Sequence, residues 1–262
     1  MSSSRFNRNF LKVGTTALAL SLMVPFGPAV NADHHGDPVA AAVANSNRNP
    51  KNVARDVERK AGDVVRFYGV KPGDTVLDFF SGGGYFAEVF SGTVGAEGKV
   101  YAHQRPGARF DRIKEKLTEH YTKFPNIELM VGPAGKIDLP DNSVDVVMLS
   151  LMIHHLHFSA DTPDELPARS RAIFAEVKRV LKPGGTFGVI EHAAIEGASR
   201  KDSSDWHRIA PEMAIADITS AGFEYAGSSD IHTNPDDDMM SPWGPAGLRG
   251  KTTRLVQKFT KP

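Results

Sequence analysis

An α/β fold with a mostly parallel sheet between two layers of helices is predicted for this 262-residue chain, and three observations predict it. Strand-like and helix-like segments alternate from residue 75 onward. One strand segment, SVDVVMLSLM at 143–152, is almost wholly apolar, as a strand covered on both faces must be. A glycine-rich turn, SGGG at 81–84, follows an apolar strand that carries an acid and precedes a helix. The composition allows the core this fold needs, with 40% hydrophobic and 24% charged residues.

The elements follow in order. Residues 1–32 place Arg5, Arg8 and Lys12 ahead of a small, mostly apolar stretch at 13–30, and end in Val30, Asn31 and Ala32 at the positions an export peptidase reads. This pattern predicts a signal peptide cut after Ala32 and a periplasmic or secreted protein. Pro25, Gly27 and Pro28 interrupt the stretch, which is short for a span of about 20 apolar residues. The arginines are not adjacent, so the twin-arginine route is not indicated. Residues 33–51 read as a flexible arm, in which His34 and His35 are adjacent, solvated histidines. The main domain is expected over 52–262. Val53, Val57, Ala61, Val64, Val65 and Tyr68 recur at three- and four-residue spacing, which predicts a helix with one apolar face. Lys71, Pro72, Gly73 and Asp74 stop it.

Five strands are then expected at 75–80, 99–103, 127–132, 143–152 and 186–192. Helices follow the first through 90, occupy 110–124, and carry the stripe Ile173, Phe174, Val177, Val180 and Leu181. A helix with proline in its first turn spans 211–221, and FEYAGSS and TTRLVQKF complete the strands. Residues 233–250, rich in Pro, Gly and Asp, are expected as a long loop or flap; the run Asp236, Asp237, Asp238 within it reads as solvated. No internal repeat is visible.

Charge and cysteine content exclude several functions. Lys+Arg and Asp+Glu are both 31, so the basic excess of a nucleic-acid binder is missing. Removal of residues 1–32, with three basic and no acidic side chains, leaves 28 basic against 31 acidic residues. The absence of cysteine excludes disulfides, thiolate metal sites and cysteine nucleophiles. No G-x-S-x-G elbow is present, which argues against a serine hydrolase.

The segments VKPGDTVLDFFSGGGYFAEVF, LPDNSVDVVMLS and RVLKPGGTFGVIE resemble the class I S-adenosylmethionine-dependent methyltransferases over roughly residues 52–230. The GGGYF turn, HRIAPEMAIADITSAGF, NPDDD and TTRLVQKFTKP are similar to an exported bacterial group of methyltransferase-like proteins. The resemblance implies a Rossmann-like, seven-stranded sheet with its last strand antiparallel. It implies S-adenosylmethionine as cofactor, facing Asp78, Ser81, Gly82, Gly84, Tyr85 and Gln104. Three positions depart from the family pattern. Phe80 replaces the first glycine of the turn, His103 or Gln104 stands at the place of the ribose-binding acid, and Gly132, Pro133 and Ala134 replace the adenine-contacting acid segment. Loss of a charged contact costs about 1.5–3 kcal/mol, so weakened cofactor binding is expected.

Histidines gather where ligands sit in such sheets, beyond the carboxyl ends of the strands. His103 ends the second strand; His154, His155 and His157 follow the fourth; Glu191 and His192 end the fifth; His207 precedes a late helix. Methyl transfer from a sulfonium needs chiefly alignment, and a heteroatom acceptor gains from a base. The expected arrangement has His155 or His192 as that base, Glu191 orienting it, and His154 and His207 beside the acceptor, a small molecule. Phe80 and Tyr85 stand near the turn where aromatic rings could steady a sulfonium. His154, His157, His192, Glu191 and His207 also offer three ligands to a metal, although no H-E-x-x-H spacing assigns one. The alternative function is a non-catalytic protein that binds a small molecule or metal on a degenerate methyltransferase scaffold.

Overall fold

A computed structural model describes residues 36–244 and 247–262. The signal-peptide segment, His34 and His35 lie outside the described residues. Seven strands form one sheet in the order β3-β2-β1-β4-β5-β7-β6. They are β1 (Thr75–Phe79), β2 (Lys99–Gln104), β3 (Ile127–Val131), β4 (Val144–Ser150), β5 (Leu181–His192), β6 (Glu224–Ser229) and β7 (Arg254–Thr260). The pairs among β1 to β5 are parallel, and β7 runs antiparallel between β5 and β6. The predicted seven-stranded sheet with an antiparallel last strand is therefore present. Strand order reverses between β1 and β4, which creates the crevice that α/β sheets use for ligands.

β4 shows why its sequence is a continuous apolar run. Val146 and Met148 enter one core with Val76, Val100 and Phe90, while Val147 and Leu149 enter a second with Leu77, Phe174 and Phe187. Alternate residues thus bury on opposite faces. The first core lies under α4 (Ala61–Tyr68) and α5 (Tyr85–Val94), and the second under α8 (Ala168–Val180) and α10 (Pro211–Ser220). None of the helices among the described residues is long and apolar enough to cross a membrane.

The segment expected as a flexible arm is ordered from residue 37 and helical in α1 (Pro38–Val43) and α2 (Pro50–Val53). Packing and charge explain the difference. Gly92 of α5 lets α1 approach so closely that a Cβ there would stand 2.7 Å from the Ala42 Cβ. Glu88, also on α5 and fully buried, accepts from Asn52 Nδ2 at 2.9 Å and pairs with His120 Nε2 at 2.7 Å. Its other oxygen lies 3.5 Å from the buried Arg48 guanidinium.

The helix expected over 52–68 is broken into α2, α3 (Asp56–Arg59) and α4, with Lys60 left-handed at φ +44° between the last two. Polar anchors override the apolar spacing. Asp56 takes two bonds from Arg48 at 2.7 and 2.8 Å, and Glu58 pairs with Arg254 at 3.0 Å. Held this way, α3 turns Val57 into solvent, 90% exposed, and Val53 is half-exposed. Ala61, Val64, Val65 and Tyr68 are buried as the spacing predicts.

Between β2 and β3 the expected single helix is two, α6 (Ala108–Asp111) and α7 (Lys114–Tyr121). β5 starts at Leu181, five residues before the expected strand; its register on β4 jumps from Val144↔Leu181 to Val146↔Thr186 across the Pro183–Gly184 bulge. A short 3-10 turn at Ile153–His155 and α9 (Arg200–Asp205) complete the described helices.

Candidate active site

The turn after β1 is built from an unusual backbone. Phe80, Gly82 and Gly84 all have positive φ, at 61, 56 and 77°. For a phenylalanine this conformation costs about 1–2 kcal/mol, which makes it a candidate site of functional strain. The Phe80 ring leans on Phe79 and His103, at centroid distances of 4.5 and 5.4 Å. It does not come within 4 Å of a Cβ built on Gly82 or Gly83, so the backbone there is open to a ligand. Gly84 is closed: a Cβ on it would overlap the Tyr121 hydroxyl. Gly84→Ala is therefore expected to destabilise the protein by about 1–3 kcal/mol, read as a lowered melting temperature.

Asp78 is 2% exposed, and its Oδ2 has no partner among the described residues. Burial pushes its carboxyl up to about 7, against the opposing pull of the Ala87 amide and the Arg59 guanidinium. Arg59, at the end of α3, was not singled out from the sequence. Its guanidinium lies over the Tyr85 ring at 4.6 Å and its Nε is buried without a partner among the described residues. Burial and then Arg55 and Arg254 press Arg59 down to about 10. A buried acid with one unpartnered oxygen and a part-buried guanidinium with an unpartnered Nε thus stand beside this turn, charges complementary to the ammonium and carboxylate of an α-amino acid. Tyr85 is fixed beneath Arg59 by donating to Asp56 Oδ1 at 2.7 Å.

The other end of the crevice is less polar than the family pattern implies. Gln104 is buried, and its amide donates to Ser81 Oγ at 2.9 Å and Gly82 O at 2.7 Å, so it braces the turn. His103 lies 3.1 Å from Gly132 O through Nε2, its Nδ1 is an unpartnered buried atom, and burial holds it down to about 4. Pro133 follows Gly132 in the loop after β3.

Beyond β4 and β5 the structure brings four predicted histidines together. Ring centroids of His154 stand 4.0 Å from His155, 5.7 Å from His207 and 6.0 Å from His192. Two left-handed residues aim these loops, Leu151 at φ +56° after β4 and His207 itself at φ +54°. Glu191 is fully buried at the centre, but its partner differs from the expected one. Oε1 lies 2.8 Å from His154 Nδ1 and accepts from the His192 backbone amide at 2.7 Å, and it orients neither the His155 nor the His192 ring. Burial alone would raise the Glu191 carboxyl; His154 and the His192 amide hold it below the usual carboxylate range. The His192 ring is held instead by Thr252 Oγ1, 2.7 Å from Nδ1, and stacks on Trp243 at 5.3 Å and 15°. Burial lowers His192 to about 4, and partial burial with His154, His207 and Arg109 nearby does the same for His155. Both rings are neutral near pH 7. His157 does not join the cluster: it is fully buried and lies 3.2 Å from Arg200 O.

A buried ion pair fixes the flap that carries Trp243. Arg208 meets both Asp237 oxygens at 2.8 and 2.9 Å and also donates to Ala193 O and Ser241 O. Asp237 in turn accepts from the Thr253 amide at 2.7 Å. The acidic run expected in solvent thus contributes one residue to the interior, because the Arg208 guanidinium at 0% exposure requires a counter-ion. A separate cavity of about 680 Å³, between β6, β7 and the start of the flap, holds none of the clustered histidines.

Residues 77–189 match the model of a methyltransferase domain. The chain is 26% identical over 181 residues to a ubiquinone/menaquinone biosynthesis C-methyltransferase UbiE of Hydrogenovibrio crunogenus, an alignment covering 68% of this chain and 66% of that protein. It is 23% identical over 194 residues to an arsenite methyltransferase of Halobacterium salinarum, covering 72% of this chain and 46% of the relative. The chain thus spans about two thirds or less of these relatives' own length. In fold it is similar to a SAM-dependent methyltransferase from Aquifex aeolicus, with a TM-score of 0.58 at 21% identity, covering 86% of this chain and 98% of the other.

Proposed function

We propose that the chain is a class I, S-adenosylmethionine-dependent methyltransferase, a reading supported by its match to a methyltransferase domain model and its similarity to such enzymes, and that it methylates a small molecule bound among His154, His155, His192 and His207. The observation that carries this reading is the unsatisfied pair Asp78 and Arg59 beside the open backbone of Gly82 and Gly83. That set fits the methionyl end of the cofactor. Bound there, S-adenosylmethionine supplies a methyl group already activated on a sulfonium, so alignment of the acceptor is the main demand on the protein. Asp78 and Arg59 hold the amino-acid end. Gln104 keeps the turn in its open shape.

At the acceptor end, His192 is the base. With Nδ1 donating to Thr252 Oγ1, its Nε2 lone pair is free to take the acceptor's proton, and Trp243 and Thr252 restrict its rotation. His192→Gln is expected to lower kcat about 10²–10⁴-fold with S-adenosylmethionine affinity unchanged. Transfer of labelled methyl groups from S-adenosylmethionine into a small-molecule extract measures it, and an unaltered kcat ends the base assignment.

The second reading, a binding protein on the same scaffold, draws on the end of β2, where Gln104 stands in place of an acid and its amide is already engaged by Ser81 and Gly82. Binding of the cofactor without any transfer would select it. On the strength of residues 1–32 we also place the activity outside the cytoplasm. A mature chain beginning at Asp33 by mass spectrometry supports this, and one retaining Met1 contradicts it.

A further inference from the structure

We propose that His154, His155 and His207 form a binding site for one zinc-class divalent cation, with Glu191 as the carboxylate that orients His154 from behind. This inference does not depend on methyl transfer.

The geometry is that of an open three-histidine site. One ring nitrogen from each of the three lies within 4.8 Å of the others. Two nitrogens on a tetrahedral zinc stand roughly 3.3 Å apart, given Zn–N distances of about 2.0–2.1 Å. His155 and His207 are exposed, so rotation of those two rings closes the gap without disturbing the core. His154 is buried and held. Glu191 Oε1 stands 2.8 Å from its Nδ1 without hydrogen-bond alignment, so a small turn of the ring would complete that contact and present Nε2 to the ion. A carboxylate behind a histidine ligand fixes the tautomer and raises the basicity of the coordinating nitrogen. Glu191 is further fixed by the backbone amides of His154 and His192, at 3.2 and 2.7 Å, so the support is built into the ends of β4 and β5.

Imidazole nitrogen suits zinc, copper, nickel and cobalt better than magnesium or calcium, which prefer oxygen. Three protein ligands leave a fourth position open to water or to a heteroatom of a small molecule, the pattern of sites that act on their ligand. Arg109 approaches His155 and opposes a cation, but it is exposed and screened by salt, whereas the Glu191 carboxylate that favours the cation is fully buried. The ligand set differs from the one the sequence suggested. His155 stands in it because the 3-10 turn after β4 brings it beside His154. His157 is spent on the Arg200 carbonyl, and His192 stands outside the group whose ring nitrogens lie within 4.8 Å of one another.

The test is titration of the full chain, purified without a histidine tag and stripped with a chelator, with zinc by calorimetry and with cobalt(II) by visible absorption. One zinc per chain is expected, and cobalt is expected to show the intense bands of tetrahedral coordination. His155→Gln and His207→Gln, both at exposed positions that leave the core intact, are expected to abolish both signals. Glu191→Gln is expected to weaken zinc binding about 10–100-fold. Replacement of His34 and His35 by alanine is expected to change nothing. No binding by the intact chain, binding that survives both His155→Gln and His207→Gln, or binding lost with His34 and His35 overturns the proposal.

Discussion

Asparagine in place of Asp78 is expected to weaken S-adenosylmethionine binding about 10–100-fold and, at pH 8, to raise the melting temperature of the ligand-free protein. Both effects come from one buried carboxyl. Its folded pKa is raised to about 7 from an ordinary value of 3.8, chiefly by burial. Between those two values the folded chain binds a proton that the unfolded chain has released, so this group's contribution to stability falls as pH rises from about 4 through 7. Above pH 7 the protein carries a buried, half-paired charge. Asparagine removes that charge and returns about 1 kcal/mol or more, a few degrees in melting temperature. A cationic ligand needs the charge. A contact between charged groups contributes about 1.5–3 kcal/mol, which sets the size of the affinity loss. The same linkage predicts that wild-type affinity falls about tenfold per pH unit below 7 and is flat above it, while the asparagine variant shows no such slope. Calorimetric titrations at pH 5.5, 6.5 and 8 decide this. Equal affinity of the wild type at all three removes Asp78 from the ligand.

The largest loss of stability is expected from the Arg208–Asp237 pair. Both side chains are fully buried, so Asp237→Asn strands a guanidinium in the interior at a cost of about 3–5 kcal/mol. For a chain of this size that is a fall of about 10 °C. The pair also anchors the flap on which Trp243 stacks against His192, so tryptophan fluorescence is expected to shift in the variant before global unfolding. Arg208→Met combined with Asp237→Leu is expected to recover most of the loss, because it leaves no buried charge unpaired. A single substitution costing less than 1 kcal/mol would show that the flap is held by other contacts.

These two sites mark where the sequence was readable and where it was not. The sheet was legible because alternate apolar residues of β4 enter the two cores, and because the acid-and-glycine turn after β1, which many nucleotide-binding folds share, is followed by apolar strand segments in the same order. The clustering of His154, His155 and His192 followed from strand ends, since a parallel sheet brings its carboxyl ends to one edge, and His207 was added from its place before a late helix. Side-chain partners did not follow. Nothing in the spacing links Glu191 to His154 rather than to a neighbour; that contact depends on the left-handed turn at Leu151. Arg59 lay in a segment whose apolar spacing suggested a continuous helix. The break at Lys60, set by ion pairs of Asp56 and Glu58 with distant arginines, delivers it to the turn. A buried arginine such as Arg208 and its acid in the flap are 29 residues apart and carry no local pattern. The ordered arm had a partial signal in Asn49 and Pro50, a capping residue followed by proline at the first helical position.

The claim on which the rest depends is that Asp78, Arg59 and the open Gly82–Gly83 backbone receive the amino-acid end of the cofactor in spite of Phe80. Calorimetric titration of the wild-type chain with S-adenosylhomocysteine at pH 8, in parallel with the Asp78→Asn and Arg59→Ala variants, tests it. Micromolar binding by the wild type and losses of tenfold or more in each variant are expected. No heat of binding by the wild type at millimolar ligand contradicts it.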